Sequence, residues 1–230
     1  MPALRFSTAA REHAEEIKKF MFDEFRVNEP ITASLSATQT DLADFFSDLS
    51  KSGYSHEKYS TLVHQDDRLV GVCLCSVHNY NNDVEADSSY PDPEQYDFAE
   101  DIAQGPYTQH KANQLVTFVA TLERRQRELL HHANKVMKID VICVSREARG
   151  RGLGKDLVRT SIEMAIVGDC DWVATAATAA ASQALFSRMG FQSLFEIPYA
   201  SFRENGRAVF QNLHDGCTSG KFMALRLKQG

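Results

Sequence analysis

One segment limits the possible folds of this chain more than any other. Residues 141–155 read VICVSREARGRGLGK, an apolar strand that runs into a turn with glycines at positions 150, 152 and 154 and then into a helical pattern. Glycine permits positive φ angles and lets a ligand approach the backbone closely. Unpaired N–H groups at a helix start attract phosphate oxygens, and Arg149, Arg151 and Lys155 add to that attraction. The segment therefore predicts a turn that binds a phosphate or pyrophosphate group.

Three known phosphate-binding patterns can be compared with this turn. A Walker loop requires G-x-x-x-x-G-K-[ST], but Arg149 stands at its first glycine and Asp156 at its Ser/Thr position. The dinucleotide-binding pattern requires G-x-G-x-x-G and usually lies near the start of its domain, whereas the glycines here are two apart. The pattern that fits is R-x-x-G-x-G after a strand, with Arg149, Gly152 and Gly154. A tight strand–helix turn with solvated basic side chains is the alternative without a ligand.

The remaining sequence alternates between strand-like and helical patterns. Strands are predicted at residues 4–7, 59–64, 69–77, 136–144, 172–177, 193–202 and 222–227. A first helix is predicted from about residue 17 to Phe25, and Pro30 prevents it from continuing further. Other helices are predicted at residues 37–52, 108–133, 152–166 and 180–189. No internal repeat or Gly/Ser-rich linker divides the chain. We therefore expect a single α/β (α+β) domain, residues 1–230, with a mixed sheet flanked by helices.

The net charge of −6 has a local origin. Eight acidic residues lie within residues 83–101, and no Lys or Arg occurs within residues 69–110, while the rest of the chain is close to neutral. This balance argues against a general nucleic-acid binder. Pro91 and Pro93 predict that residues 81–107 form an acidic loop within the domain. This loop is either simply solvated or a lip that attracts amines.

The cysteines and the apolar runs bear on the cellular compartment. Five cysteines form no C-x-x-C pair, and this odd number fits reduced thiols rather than disulfides or a metal site. No run of eighteen apolar residues is present, so no membrane span is expected. The N-terminal residues lack the apolar core of a secretory signal. We expect a cytoplasmic protein without a bound metal, as a monomer or a weak dimer.

The strand–turn–helix segment closely resembles the acetyl-CoA pyrophosphate loop of the GNAT acetyltransferase superfamily. The resemblance implies the GNAT fold, a mixed and mostly antiparallel sheet flanked by helices, with a V-shaped acetyl-CoA cleft between its two central parallel strands. It also implies that acetyl-CoA is a cosubstrate, bound by Ile142, Cys143, Val144, Arg149, Gly150, Arg151, Gly152, Leu153, Gly154 and Lys155. The small residues at 174–181 leave room for a pantetheine arm, and residues 182–191 fit the closing helix of that cleft.

A narrower resemblance, to invertebrate-type arylalkylamine N-acetyltransferases, involves both ends of the chain. It is carried by FRVNEP at residues 25–30, the glycine-rich turn, Thr178 with Ser182, and IPYASFRENG at residues 197–206 with VF at 209–210. In that family the glutamate before the proline acts as the base, which implies Glu29 here. Family hydroxyls on the closing helix map to Thr178 and Ser182. Phe25 and Pro30 are expected to contact the amine substrate.

Two positions depart from the patterns of these families. Phe186 stands where many GNAT enzymes have a tyrosine that protonates the leaving thiolate, so that usual donor is missing. Asn28 stands where arylalkylamine acetyltransferases often have aspartate, which removes a carboxylate beside Glu29. The resemblance therefore leaves the thiolate proton donor open.

The proposed chemistry explains why these residue types are needed. An alkylammonium ion has a pKa of roughly 10.4, so at pH 7 a positioned base must help supply about 4 to 5 kcal/mol to free the amine. Partial burial can raise the pKa of Glu29 toward that task. The Val144 amide is the candidate donor to the reacting carbonyl oxygen, and Ser182, then Thr178, can protonate the thiolate. The structural alternatives are that Ser182 caps its helix, Thr178 packs, and Cys143 is a small buried side chain.

The sequence as a whole predicts an acetyl-CoA-dependent N-acetyltransferase that acts on a primary arylalkylamine by direct attack in a ternary complex. Its partners are then acetyl-CoA and a small-molecule amine, with no nucleic acid and no membrane. Two alternatives stay open. The acceptor can be another amine, such as a polyamine, an amino acid or a protein N-terminus, or the domain can bind acetyl-CoA without turning it over.

Overall fold

A central sheet organises the computed structural model, which describes residues 3–56, 58–80, 92–131 and 133–228 of the chain. Within those residues seven strands form one sheet in the order β1-β2-β3-β4-β5-β9-β6, and β7 pairs with β8 separately. The strands are β1 (Leu4–Thr8), β2 (Thr61–Gln65), β3 (Arg68–Asn79), β4 (Lys135–Val144), β5 (Trp172–Ala177), β6 (Gln192–Pro198), β7 (Arg203–Glu204), β8 (Arg207–Ala208) and β9 (Ser219–Arg226). Only β4 and β5 are parallel neighbours among these strands.

Helices cover both faces of the sheet. They are α1 (Ala14–Phe20), α2 (Arg26–Asn28), α3 (Pro30–Ser34), α4 (Gln39–Ser55), α5 (Ala99–Ala103), α6 (His110–Glu123), α7 (Gln126–Leu129), α8 (Leu153–Val167) and α9 (Ala180–Arg188). A π-helical turn, Met21–Phe25, joins α1 to α2. α4 begins with a reciprocal cap, in which Asp41 accepts from the Thr38 N–H at 2.8 Å and Thr38 accepts from the Asp41 N–H at 3.2 Å.

These elements confirm the mixed, mostly antiparallel sheet flanked by helices. Three local expectations need correction. The strand predicted at residues 193–202 ends at Pro198, and the chain turns before β7 begins at Arg203. The helix predicted at residues 108–133 ends at Glu123, and a separate short helix, α7, follows it. The acidic loop predicted at residues 81–107 contains the short helix α5, while residues 81–91 lie outside the described part of the chain.

A bulge in β4 decides which side chains reach each face of the sheet. In the pairing of β3 with β4, Leu74 lies opposite Val141 and Cys75 opposite Ile139, so Asp140 is an extra residue in β4. The alternation of side chains therefore reverses at Asp140. Ile139 packs in the core cluster on the α8 side, whereas Val141 packs in the cluster that α1 and α4 cover.

The two parallel strands separate directly after the bulge. β4 and β5 pair from Val136 opposite Trp172 as far as Ile139 opposite Thr175. The Thr175 hydroxyl donates to the Ile139 carbonyl at 2.9 Å and closes the end of this ladder. Beyond this point the strands splay and leave a V-shaped cleft between them, as expected.

The core is divided by the sheet into two layers. One layer contains Ile17, Phe46 and Phe118 from α1, α4 and α6, and the other contains Leu157 from α8 and Phe186 from α9.

No helix of the described residues is long and apolar enough to cross a membrane.

Candidate active site

The glycine-rich turn has the backbone that the sequence predicts. Gly150 has φ +76° and Gly152 has φ +81°, a left-handed conformation that costs other residues roughly 1–2 kcal/mol. An added Cβ at either position meets nothing within 4 Å, so glycine is required there by the backbone conformation. Gly154 is different, because its added Cβ lies 3.3 Å from Leu185 Cδ2. It therefore permits close packing of α8 against α9.

The start of α8 presents donors and positive charge. The helix has fifteen residues, and no side chain caps its first turn. Its leading N–H groups and its dipole therefore favour an anion. Arg149, Arg151 and Lys155 are exposed around the turn, and the Leu153 side chain is buried in the core. The Arg149 Nε donates to the Val144 carbonyl at 3.2 Å, which links the turn to the end of β4.

The β4 edge that follows the bulge turns backbone groups toward the cleft. The Ser145 N–H donates to the Val70 carbonyl at 2.8 Å, so Val70 and Ser145 form a hydrogen-bonded pair of the antiparallel ladder. Because such pairs alternate, Ile142 and Val144 direct their N–H and C=O groups away from β3, toward the cleft. The Cys143 side chain is buried in the core cluster that α1 and α4 cover, and burial raises the pKa of its thiol to about 12.

The cleft between β4 and β5 has a volume of about 520 Å³. Its lining combines the end of β4, the splayed end of β5, the start of α9 and the segment around Glu29. The residues predicted from the sequence that line it are Phe25, Glu29, Pro30, Ile142, Cys143, Val144, Arg149, Gly154, Thr178 and Ser182. Gly150, Arg151 and Gly152 lie on the turn itself and Lys155 lies in the first turn of α8, all four exposed to solvent.

Glu29 is buried and held by four hydrogen bonds. It caps the start of α3, where its Oε2 accepts from the Thr32 N–H at 2.7 Å and from the Thr32 hydroxyl at 2.6 Å. Its Oε1 accepts from the Ile31 N–H at 3.4 Å and from the Thr178 hydroxyl at 2.8 Å. Burial raises the pKa of Glu29, and the hydrogen bonds from Thr32, Thr178 and Ile31 oppose that rise.

The local sequence explains how Glu29 reaches the cleft. The π-helical turn precedes it, and such turns are frequent at functional sites. Pro30 cannot continue α2 but suits the first position of α3, so the chain breaks at Glu29, which has an extended conformation with φ −77° and ψ 121°. The π-helical turn is also tied to the segment between β4 and the glycine-rich turn, because Glu24 Oε2 accepts from the Arg146 N–H at 3.1 Å.

The two predicted hydroxyls lie at the start of α9 with different partners. Thr178 donates to Glu29, and the Thr178 carbonyl accepts from the Tyr199 hydroxyl at 2.5 Å. Ser182 donates to the Ala179 carbonyl at 2.9 Å and accepts from the Ala179 N–H at 3.3 Å, so it also caps α9. Phe186 lines the cleft from the core side, with its ring centre 5.0 Å from that of Phe191.

A second cavity of about 200 Å³ meets the cleft at Glu29. The residues that line both are Phe25, Glu29, Ile139, Asp140, Ala176 and Thr178. The rest of the second cavity is mostly apolar and includes Phe45, Leu49, Leu115 and Val119. Glu123 and Lys138 are its other charged residues. A molecule in this cavity thus approaches the cleft at Glu29.

Several lining residues were not anticipated from the sequence. Lys138 and Asp140 alternate along β4, a pattern typical of a solvated strand face, but α6 covers that face and brings Glu123 against Lys138 at 2.8 Å. His214 and Asp215 line the cleft from the loop before β9, and Asp215 accepts from the Ala180 N–H at 2.8 Å. No local motif marks these residues. Among the described residues no group of three or more His, Cys, Asp and Glu side chains is placed to hold a metal ion.

Comparison with known proteins agrees with this geometry. The acetyltransferase (GNAT) family model matches residues 78–191, and the search of curated proteins finds no match. Among solved structures, arylalkylamine N-acetyltransferase 2 from Aedes aegypti has a TM-score of 0.73 and 21% identity, with 98% of this chain and 99% of that chain covered. Polyamine N-acetyltransferase from Drosophila melanogaster, an enzyme that forms N-acetylagmatine, has a TM-score of 0.75 and 18% identity, with 98% and 100% covered.

A more distant structure also bears on the cleft. Naa50 from Arabidopsis thaliana, in complex with a bisubstrate analogue that contains CoA, has a TM-score of 0.51 and 10% identity, with 97% of this chain and 99% of that chain covered. At these identities the solved structures establish the fold. Together with the family match and the splayed strands beside a glycine-rich turn, they show that this chain carries a GNAT acetyltransferase domain.

Proposed function

We propose that this protein transfers the acetyl group of acetyl-CoA to the primary amine of an arylalkylamine, with Glu29 as the base. The observation that carries the proposal is the position of Glu29, a buried carboxylate that lines both the cleft and the second cavity. A base for this reaction must lie where the thioester and the amine meet. Glu29 is a titratable group of raised pKa at that junction.

The residues around the cleft fit acetyl-CoA. The N–H groups at the start of α8 and the left-handed glycines would hold the diphosphate, and Arg149, Arg151 and Lys155 would add charge. The outward-facing N–H and C=O groups of Ile142 can pair with an amide group of the pantetheine arm. Acetyl-CoA supplies an activated acyl group at the place where β4 and β5 separate.

Proton removal is the task of Glu29 and Thr178. Both Glu29 oxygens already accept hydrogen bonds, so we propose that the amine proton reaches Glu29 through the Thr178 hydroxyl or a water molecule. In the first route Thr178 gives its own proton to Glu29 and takes one from the amine. Thr178 thus relays a proton from the amine to Glu29, so Ser182 is the remaining candidate for the proton donor to the thiolate.

The reacting carbonyl gains negative charge as the amine attacks. The Val144 N–H faces the cleft at the end of β4 and is the proposed donor to that oxygen. Ser182 lines the cleft, but its proton is donated to Ala179. Its hydroxyl must therefore rotate away from the helix cap before it can protonate the thiolate. The Cys143 thiol takes no covalent part, because burial keeps it protonated near pH 7.

The second cavity supports an aryl group as the other end of the acceptor. Phe25 and Phe45 line it together with aliphatic side chains of α4 and α6. Aromatic rings contribute additional stabilisation when they pack against such a wall. The neighbouring structure from Aedes aegypti is an arylalkylamine N-acetyltransferase, which also supports this acceptor class.

A polyamine is the second candidate acceptor. Glu123, Lys138 and Asp140 line the second cavity and together carry one net negative charge when ionised. A second ammonium or guanidinium group at the far end of the acceptor is compatible with that charge. The Drosophila melanogaster neighbour acts on a substrate of this kind.

A CoA-release assay on the purified protein tests the proposal. Arylalkylamines (tyramine, dopamine, serotonin and octopamine) are compared with spermidine, putrescine and agmatine at equal concentration. We expect kcat/KM for at least one arylalkylamine to exceed that for every polyamine by about tenfold or more. A preference for polyamines contradicts the aryl assignment, and binding of acetyl-CoA without turnover of any amine contradicts the enzymatic one.

A further inference from the structure

We infer that Asp140 is a substrate-binding residue, a second carboxylate that holds the ammonium group of the acceptor where the cleft and the second cavity meet. The inference rests on the proposed function, since it assigns a place to the amine of that reaction. Asp140 is the bulge residue of β4, lies on the same face as Lys138, and lines both the cleft and the second cavity.

Asp140 belongs to a row of three charged side chains along one wall of the second cavity. The Lys138 Nζ lies 3.0 Å from Asp140 Oδ1 and 2.8 Å from Glu123 Oε2. Glu123 and Lys138 line the second cavity, whereas Asp140 lines both spaces. The row therefore runs from the junction into the second cavity, and Asp140 is at the end of the row beside the cleft.

The Asp140 carboxylate has an unused acceptor. Its side chain is only 9% exposed, and its Oδ2 is a buried atom without a hydrogen-bond partner in the described part of the chain. Leaving such an acceptor unpaired costs roughly 1–3 kcal/mol, and more when it is charged. The torsion next to a carboxylate is soft, so a small rotation presents Oδ2 to an incoming donor. An alkylammonium group is a donor of the charge and size that this site lacks.

Glu29 is not suited to the same task. A carboxylate offers about four acceptor sites, and Glu29 already receives the Ile31 and Thr32 N–H groups and the Thr32 and Thr178 hydroxyls. The two carboxylates therefore have different roles. Asp140 holds the cation, and Glu29, through Thr178, takes its proton.

The row also provides its own control for a test. Asp140→Asn and Glu123→Gln each remove one negative charge from the same row, and each leaves Lys138 a carbonyl oxygen to bond. Only Asp140→Asn removes the group proposed to touch the ammonium. The measurements are KM for the preferred amine, KM for acetyl-CoA, and Ki for the neutral alcohol that matches that amine, with circular dichroism to establish that both variants fold.

The inference predicts that Asp140→Asn raises KM for the amine about 10- to 100-fold, the loss of a charge-assisted hydrogen bond. KM for acetyl-CoA and Ki for the alcohol stay within about threefold, and Glu123→Gln raises the amine KM by clearly less. An unchanged amine KM in Asp140→Asn overturns the inference, as do equal effects of the two variants. These outcomes are independent of the base assignment, because loss of activity in Glu29→Gln with an unchanged amine KM in Asp140→Asn leaves the proposed function standing and removes only the role of Asp140.

Discussion

Replacement of Glu29 by glutamine separates its catalytic role from its structural one. A positioned general base contributes about 10²- to 10⁴-fold to rate. Glu29→Gln is therefore expected to lower kcat/KM by about that factor, or roughly 3 to 5 kcal/mol of barrier. The acid limb of the wild-type pH profile should lie above the ordinary glutamate pKa, because burial raises the pKa of Glu29, and it should disappear in the variant.

The same substitution should not unfold the protein. Because the folded-state pKa of Glu29 is raised, folding favours its protonated form, and stability from this group is lost as the pH rises through that pKa. At pH 7 the wild type bears the cost of a buried carboxylate, which glutamine avoids. Glutamine also keeps an oxygen for the Thr32 N–H, now at 2.7 Å from Glu29 Oε2. We expect Glu29→Gln to be as stable as the wild type at pH 7, or more stable.

The assay is kcat/KM against pH by CoA release, paired with thermal unfolding of the same samples at pH 5 and pH 7. Glu16→Gln is a matched control. Glu16 lies on α1, forms a hydrogen bond of 3.1 Å with His64, and does not line the cleft. The reasoning is refuted if Glu29→Gln keeps activity within about threefold of the wild type. It is also refuted if the variant loses stability at pH 7 in proportion to its loss of activity.

Three further predictions concern the turn, the base and the buried thiol. Gly152→Ala should weaken CoA binding about tenfold or more by calorimetry, whereas Gly206→Ala, with a similar φ of +74° in the β7–β8 turn, should cost similar stability and leave CoA binding unchanged. Thr178→Val removes a hydrogen bond that lowers the pKa of Glu29, so it should shift the acid limb of the pH profile upward. Thr178→Ser keeps the hydroxyl and should leave the limb in place. An unmoved limb in Thr178→Val contradicts the assignment of that limb to Glu29. Cys143→Ala should retain most activity, and iodoacetamide at pH 7 should not inactivate the wild type through this buried thiol, so rapid inactivation that the variant escapes contradicts the account.

The glycine-rich turn could be predicted from the sequence because its requirements are local. Positive φ at Gly150 and Gly152 and an uncapped helix start follow from neighbours within a few residues. Glu29 is a different case. Its contact with Thr178 joins residues 149 positions apart, so only resemblance to a family pointed to it. The π-helical turn before it has no sequence pattern that distinguishes it from an ordinary helix.

The sequence could not predict that Glu123, Lys138 and Asp140 form a buried row, and the reason is physical. Polar residues two apart in a strand indicate a solvated face, and the sequence does not show that α6 packs over that face. The bulge at Asp140 depends on the register with β3, which is set by the whole hairpin and not by β4 alone. The break between α6 and α7 is hidden in the same way, since apolar residues continue at helical spacing into α7.

A crystal structure with a bisubstrate analogue, in which the sulfur of CoA is joined through an acetyl group to the nitrogen of an arylalkylamine, tests the central claim most directly. We predict that the diphosphate lies within hydrogen-bond distance of N–H groups of residues 150–155 and that the amine nitrogen lies beside Glu29 and Thr178. The aryl group should contact Phe25 and Phe45 in the second cavity. A diphosphate bound away from the turn, or an amine arm that leaves the cleft without passing Glu29, would contradict the account.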